Sequence, residues 1–278
     1  MYCDFWNLSQ APFDQQLDLE YFFESEFHEE ALARLLFVAE EQKKCAVFTG
    51  PEGTGKSFTL KVFETILKRS PYQCESIDLF GLGEEEFLWQ LCAQLRLGPA
   101  YTTQLPQLWR QLTDYLMGLQ LTQGRLILLL DHVDQSRAEC LKSIERLLHT
   151  GNQRFPSLTI VTALENLNSG EAAAVSQFSD LAIELGPFDQ ETTENYIRYR
   201  LNCSGCSKSP FTADAFREIQ KATEGIPENI NQICDLALLA GYEQNLQEID
   251  SDVITRAGFE IKGTSHTTNR ISEVMHGV

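Results

Sequence analysis

The stretch Gly50-Pro51-Glu52-Gly53-Thr54-Gly55-Lys56-Ser57-Phe58 has the residue types and the spacing to hold a phosphate. Its pattern is G-x-x-x-x-G-K-S. Glycines at 50, 53 and 55 allow backbone angles that a Cβ would block. Successive N–H groups can then converge on one anion, and a helix that follows adds its positive N-terminal end. Lys56 places a cation on β- and γ-phosphates, and the Ser57 hydroxyl is a ligand for Mg²⁺. The expected chemistry is binding of a nucleoside triphosphate together with its metal.

A phosphate cradle needs an acidic partner for the metal. Asp131 closes the apolar run Leu126–Leu130, at the carboxyl end of a candidate strand, where ligands bind in open α/β sheets. It suits an acid that holds Mg²⁺ through water. Thr159 and Thr162 lie on the next strand, and Thr162, nearer the strand end, is the better candidate to reach a γ-phosphate.

The surrounding pattern supplies the elements that would position these groups. Cys45–Thr49 reads as a buried strand entering the loop, and Phe58–Leu67 as an amphipathic helix leaving it. Strand candidates at Cys74–Leu79, Arg125–Asp131, Leu158–Leu164 and Leu181–Leu185 alternate with helix candidates at Glu84–Leu97, Pro106–Leu119 and Ala138–His149. Such alternation predicts a parallel sheet covered by helices. After Pro187 the pattern is helical: Gln190–Leu201, Thr212–Thr223, Asn229–Ala240 and Ser251–Gly258. The expected organisation is an aromatic entry segment and helix over 1–44, a nucleotide-binding core over 45–188, an all-α domain over 189–260 and a flexible polar tail over 261–278. In the entry segment, Pro12–Phe13 or Phe22–Phe23 either pack on the core or enclose an adenine.

Composition narrows the classes. The chain has 278 residues, 43% of them hydrophobic, enough for one large domain or two modest ones. Its longest apolar run is far short of a membrane span, and the start at Met1-Tyr2-Cys3-Asp4 lacks a basic, apolar leader. The expectation is a cytoplasmic protein with no direct membrane insertion. A net charge of −18 argues against a surface that coats DNA. Cys203 and Cys206 form a lone C-x-x-C with no second pair and no nearby His, so a metal site there is the weaker reading.

At this point the chain resembles a known family. Pro12–Phe13, the helix opening at His28-Glu29-Glu30-Ala31-Leu32, the phosphate loop, the strand ending in Asp131, Glu194–Leu201 and Gly225–Asp235 look like the ExeA/GspA group of AAA+ ATPases, itself similar to the transposition ATPases TnsC and MuB. The resemblance runs to about residue 258. It implies an α/β P-loop fold, a three-layer sandwich with a five-stranded parallel sheet in strand order 5-1-4-3-2. It also implies a helical lid, ATP at the boundary of core and lid, and ring-like or filamentous oligomers.

Three positions depart from the family. An acid normally follows the metal-holding Asp, and here that position is His132. The lid arginine of the family's Gly-x-Pro-Arg is replaced by Glu228. The region from Leu164 to Asp180 has no Lys or Arg, and Phe178 stands where an arginine finger is expected. A finger is worth about 10³- to 10⁵-fold and a water-polarising base about 10²- to 10⁴-fold. The expectation is therefore ATP-Mg binding with slow or impaired hydrolysis, in a nucleotide-dependent switch for a protein partner or an active paralogue. The alternatives are a working ATPase in secretion or transposition machinery, with Asp134 or His132 as base, and a DNA-acting switch.

Overall fold

The computed structural model describes residues 2–14, 18–154, 157–165, 175–206 and 208–259. They divide into two compact units, residues 26–186 and residues 1–25 with 187–278.

The first unit is built on five parallel strands: β1 (Cys45–Thr49), β2 (Gln73–Asp78), β3 (Leu126–Asp131), β4 (Leu158–Leu164) and β5 (Leu181–Glu184). Their spatial order is β2-β3-β4-β1-β5, the 5-1-4-3-2 order read from the other edge. β3 and β4 are buried along their whole length, as strands apolar on both faces must be. Alternation sends Leu126, Leu128 and Leu130 to one face, where they join a core with α4 (Glu84–Gln94), α5 (Leu105–Leu121) and α6 (Ala138–Arg154). α2 (Glu26–Glu40) packs on β1 and β5, and α3 (Lys56–Leu67) packs on α2 and β2. The result is the expected three-layer α/β sandwich. The helices start where local chemistry permits: the Gly83 N–H donates to Glu86 at the head of α4, and Pro106 sits in the first turn of α5.

The second unit holds α7 (Gln190–Cys203), α8 (Ala213–Thr223), α9 (Pro227–Glu243) and a helix over 251–259, α10. Asp189 caps α7 through the Thr192 N–H at 2.8 Å, and Thr212 caps α8 through the Ala215 N–H. The two segments that carry the family resemblance meet here, since the Tyr196 hydroxyl donates to Asn231 at 2.8 Å. Gly225 has φ +77°, and a Cβ there would sit 1.9 Å from the Phe188 carbonyl oxygen. Only glycine fits that approach.

The entry segment is the main difference from the expected organisation. Residues 1–25 belong with the helical unit, and α2 belongs with the sheet, so no separate block spans 1–44. α1 (Tyr2–Phe5) leads into Trp6, whose indole N–H donates to the Leu238 carbonyl at 2.9 Å. Buried Arg200 donates to the carbonyls of Pro12 and Asp14 at 2.6 and 2.8 Å. Phe13 packs edge-on against Phe211, and Phe23 against Phe188 and Tyr196. These rings serve the helical core. The tail predicted over 261–278 lies outside the described residues.

Candidate functional site

The phosphate loop joins β1 to α3. Gly53 and Gly55 have φ of +75° and +98°, and Gly55 is the residue before the first turn of α3. At Gly50 a Cβ would lie 2.3 Å from the Leu185 carbonyl oxygen, so the loop is pressed onto the chain leaving β5. Pro51 serves through its carbonyl, which accepts from the Thr54 hydroxyl at 2.8 Å. Glu52 stands on the outside of the loop. Ser57 and Phe58 follow on the first turn of α3. The Lys56 ammonium is buried and curls over the loop, donating to the Gly50 and Pro51 carbonyls at 2.7 and 3.0 Å. Burial lowers its pKa, and the carboxylates of Glu165, Asp131, Asp134 and Glu52 oppose that shift.

The acidic side is assembled from three strand ends. Asp131 is buried at the tip of β3 and accepts from the His132 N–H at 3.0 Å. Asp134 stands in the short 3₁₀ turn that follows. One of its oxygens accepts from the Glu165 N–H at 2.7 Å, and the other is buried with no hydrogen-bond partner. Glu165 directly follows β4, and its carboxylate accepts from the Gln135 side chain at 2.7 Å.

His132 is turned to a different task from the one its place in the chain suggests. Its backbone is left-handed, with φ +51°. Its Nδ1 lies 2.8 Å from an Asp78 carboxylate oxygen, and its ring meets Phe80 edge-on. Its pKa is raised: burial pushes it down, but the Asp131 charge and the Asp78 hydrogen bond and charge outweigh burial. An imidazole that holds its proton more tightly is a poorer base at neutral pH. Of the two candidate bases, Asp134 has the free acceptor.

Thr162 is a correction. It pairs with Val47 and Leu130, short of the sheet's edge, and its hydroxyl is directed at the Ala46 carbonyl at 3.4 Å. β4 runs two residues further, so the polar group at its end is Glu165. Applying the strand-end rule to β4 and β2 would have found both Glu165 and Asp78, which is in register with Asp131. Thr162 is nearer the end of β4 than Thr159 but still two residues short of it. The two other departures are on other elements. Glu228 is in the first turn of α9, and Phe178 packs edge-on against His149 at 4.6 Å.

The residues present fit a metal-bound triphosphate. Asp131, Asp134 and Glu165 surround a single ammonium and would repel phosphates, unless a divalent cation lay between them. The unpartnered Asp134 oxygen costs about 1–3 kcal/mol as it stands. A water held by Mg²⁺ would satisfy it. Ser57 and Asp131 are the residues that would hold the metal.

Comparison with known proteins agrees with this geometry. Residues 39–166 match the AAA domain family model. General secretion pathway protein A of Aeromonas hydrophila is 27% identical over 270 residues, covering 95% of this chain and 49% of that protein. The chain thus spans about half the length of that relative. The structure is similar to Cdc6p from Pyrobaculum aerophilum, with TM-score 0.67, 13% identity and coverage of 86% and 67%. It is also similar to Drosophila ORC bound to DNA, with TM-score 0.68, 15% identity and coverage of 90% and 65%. At that identity the structural likeness speaks for the fold alone. Among the described residues, no helix is long and apolar enough to cross a membrane. The loop, the strand order and the relatives agree: residues 39–166 match an AAA domain, and the chain is similar to AAA+ P-loop ATPases of the ExeA/GspA type.

Proposed function

We propose that this protein binds ATP with Mg²⁺ at the Gly50–Ser57 loop and hydrolyses it slowly, so that occupancy sets its affinity for a protein partner. One observation carries the reading. The loop and its ammonium are complete, while the position that normally holds the water-polarising acid is a histidine tied to Asp78. Binding rests on the loop amides, Lys56, Ser57 and Asp131. Mg²⁺ would supply charge neutralisation between the phosphates and the carboxylates. Lys56 would leave the loop carbonyls for the phosphate oxygens, and Asp134 would orient a water. With His132 withdrawn, proton removal from that water is slow.

The partner class follows from the named relative, which belongs to a general secretion pathway. A protein of that machinery, or a catalytically complete paralogue in a mixed oligomer, fits a chain of charge −18 better than DNA does. ATP affinity by calorimetry and single-turnover hydrolysis, measured on one sample with Mg²⁺, test the proposal. Binding near micromolar with turnover close to background supports it. No binding at millimolar ATP overturns it.

A second reading is favoured by the unpartnered Asp134 oxygen. In it Asp134 replaces the absent acid and the protein is a working ATPase. Brisk multiple turnover that disappears in Asp134→Asn would select this reading over the first.

A further inference from the structure

Nothing in the nucleotide chemistry proposed above uses His28, which opens the His28-Glu29-Glu30-Ala31-Leu32 segment in the first turn of α2. The side chain is only 5% exposed. It hydrogen-bonds the backbone of Thr54. Its Nε2 lies 3.2 Å from where a Cβ on Gly55 would stand. The imidazole is therefore lodged beneath the turn that delivers Lys56 and Ser57 to the phosphate site. Gly55 is doubly constrained, by a left-handed φ of +98° and by the ring.

We infer that His28 is a positioning residue of the phosphate loop: its imidazole hydrogen-bonds the Thr54 backbone and fills the space under Gly55, fixing the loop before nucleotide arrives. The physical case is one of burial. A polar ring placed there without its hydrogen bond would be costly, so ring and loop hold each other in one arrangement. Burial lowers the His28 pKa to about 4, which keeps the ring neutral at ordinary pH. Neutral imidazole offers one donor and one acceptor, enough for a backbone partner but nothing that would compete with Lys56 for phosphate. A loop already set in its binding shape loses less freedom when the ligand binds.

The functional half of this inference rests on the nucleotide reading, and the experiment separates the two. The full chain is compared with His28→Leu, which keeps bulk and loses the hydrogen bond, and with His28→Gln, which restores a donor and an acceptor. Amide hydrogen exchange over residues 50–57 is followed without nucleotide, alongside the melting temperature and the Kd for Mg-ATP. The expected result is exchange faster and Kd weaker by about three- to tenfold in His28→Leu, the worth of one hydrogen bond. The melting temperature stays close to the parent's, and His28→Gln recovers both readouts. Unchanged loop exchange in His28→Leu overturns the inference. So does a large fall in melting temperature in both variants with no recovery by Gln, since that marks a general packing role. If the parent itself ignores Mg-ATP, the nucleotide reading fails, and the exchange comparison still decides the role of His28.

Discussion

The two ends of the site are built by different means. The loop after β1 is nearly all main chain: three left-handed or near-limit glycines, one carbonyl that takes several bonds, and one ammonium. Its shape follows from a short run of sequence. The acidic end is assembled from side chains on β2, β3 and β4, brought together by sheet register. There a single change of residue redirects a whole network: His132 turns to Asp78, and Asp134 is left to meet Glu165. A backbone cradle tolerates change around it, whereas a side-chain constellation is only as complete as its least suitable member.

The largest test of that contrast removes the loop's own charged side chain. Lys56→Ala should weaken Mg-ATP binding by about 10²- to 10³-fold in calorimetry, the worth of a buried charged contact with phosphate. An unchanged Kd would mean that the amides alone hold the ligand. Acid should act on the loop end next. The pKa of His28 falls from 6.5 to about 4 on folding, so the fold favours the neutral ring. Its contribution is complete above pH 6.5 and is lost as pH falls from 6.5 toward 4, by up to roughly 3 kcal/mol. Urea unfolding at pH 7.5 and 4.5 should show a smaller acid loss in His28→Leu than in the parent.

The acidic end should respond in turnover and not in binding. Asp134→Asn should take the residual single-turnover hydrolysis down to background, with Kd within a factor of a few, and a fall of about 10- to 100-fold would mark the working-ATPase reading instead. Loss of binding instead would make Asp134 part of the cradle. The smallest expected effect is a gain. His132→Glu restores an acid after Asp131 and should raise turnover by about tenfold. If quenched-flow rates stay flat, the deficit lies elsewhere, for instance in the missing arginine.

Much of this was legible in the sequence, for physical reasons. β1 and β4 were delimited to the residue because buried parallel strands are continuous apolar runs with sharp ends. The loop was legible because its glycines answer to local backbone sterics. Thr162 misled because strand residues alternate, and which one reaches the edge depends on where neighbouring strands stop. Asp78 and Glu165 were missed because their importance lies in partners 54 and 31 residues away. The neighbour of the entry segment was not legible because aromatic content shows that a stretch is buried, not against what. Arg200, donating to two carbonyls nearly two hundred residues upstream, is the kind of contact that periodicity does not reveal.

That Arg200 clasp bears on how the chain is made. The helical unit is discontinuous: its first 25 residues leave the ribosome long before α7, α8 and α9, with the whole sheet in between. The nascent Trp6 and Phe13 must therefore wait, exposed, while the nucleotide unit closes on itself. Synthesis order alone thus leaves this segment without its partners until the helices that follow Pro187 are made.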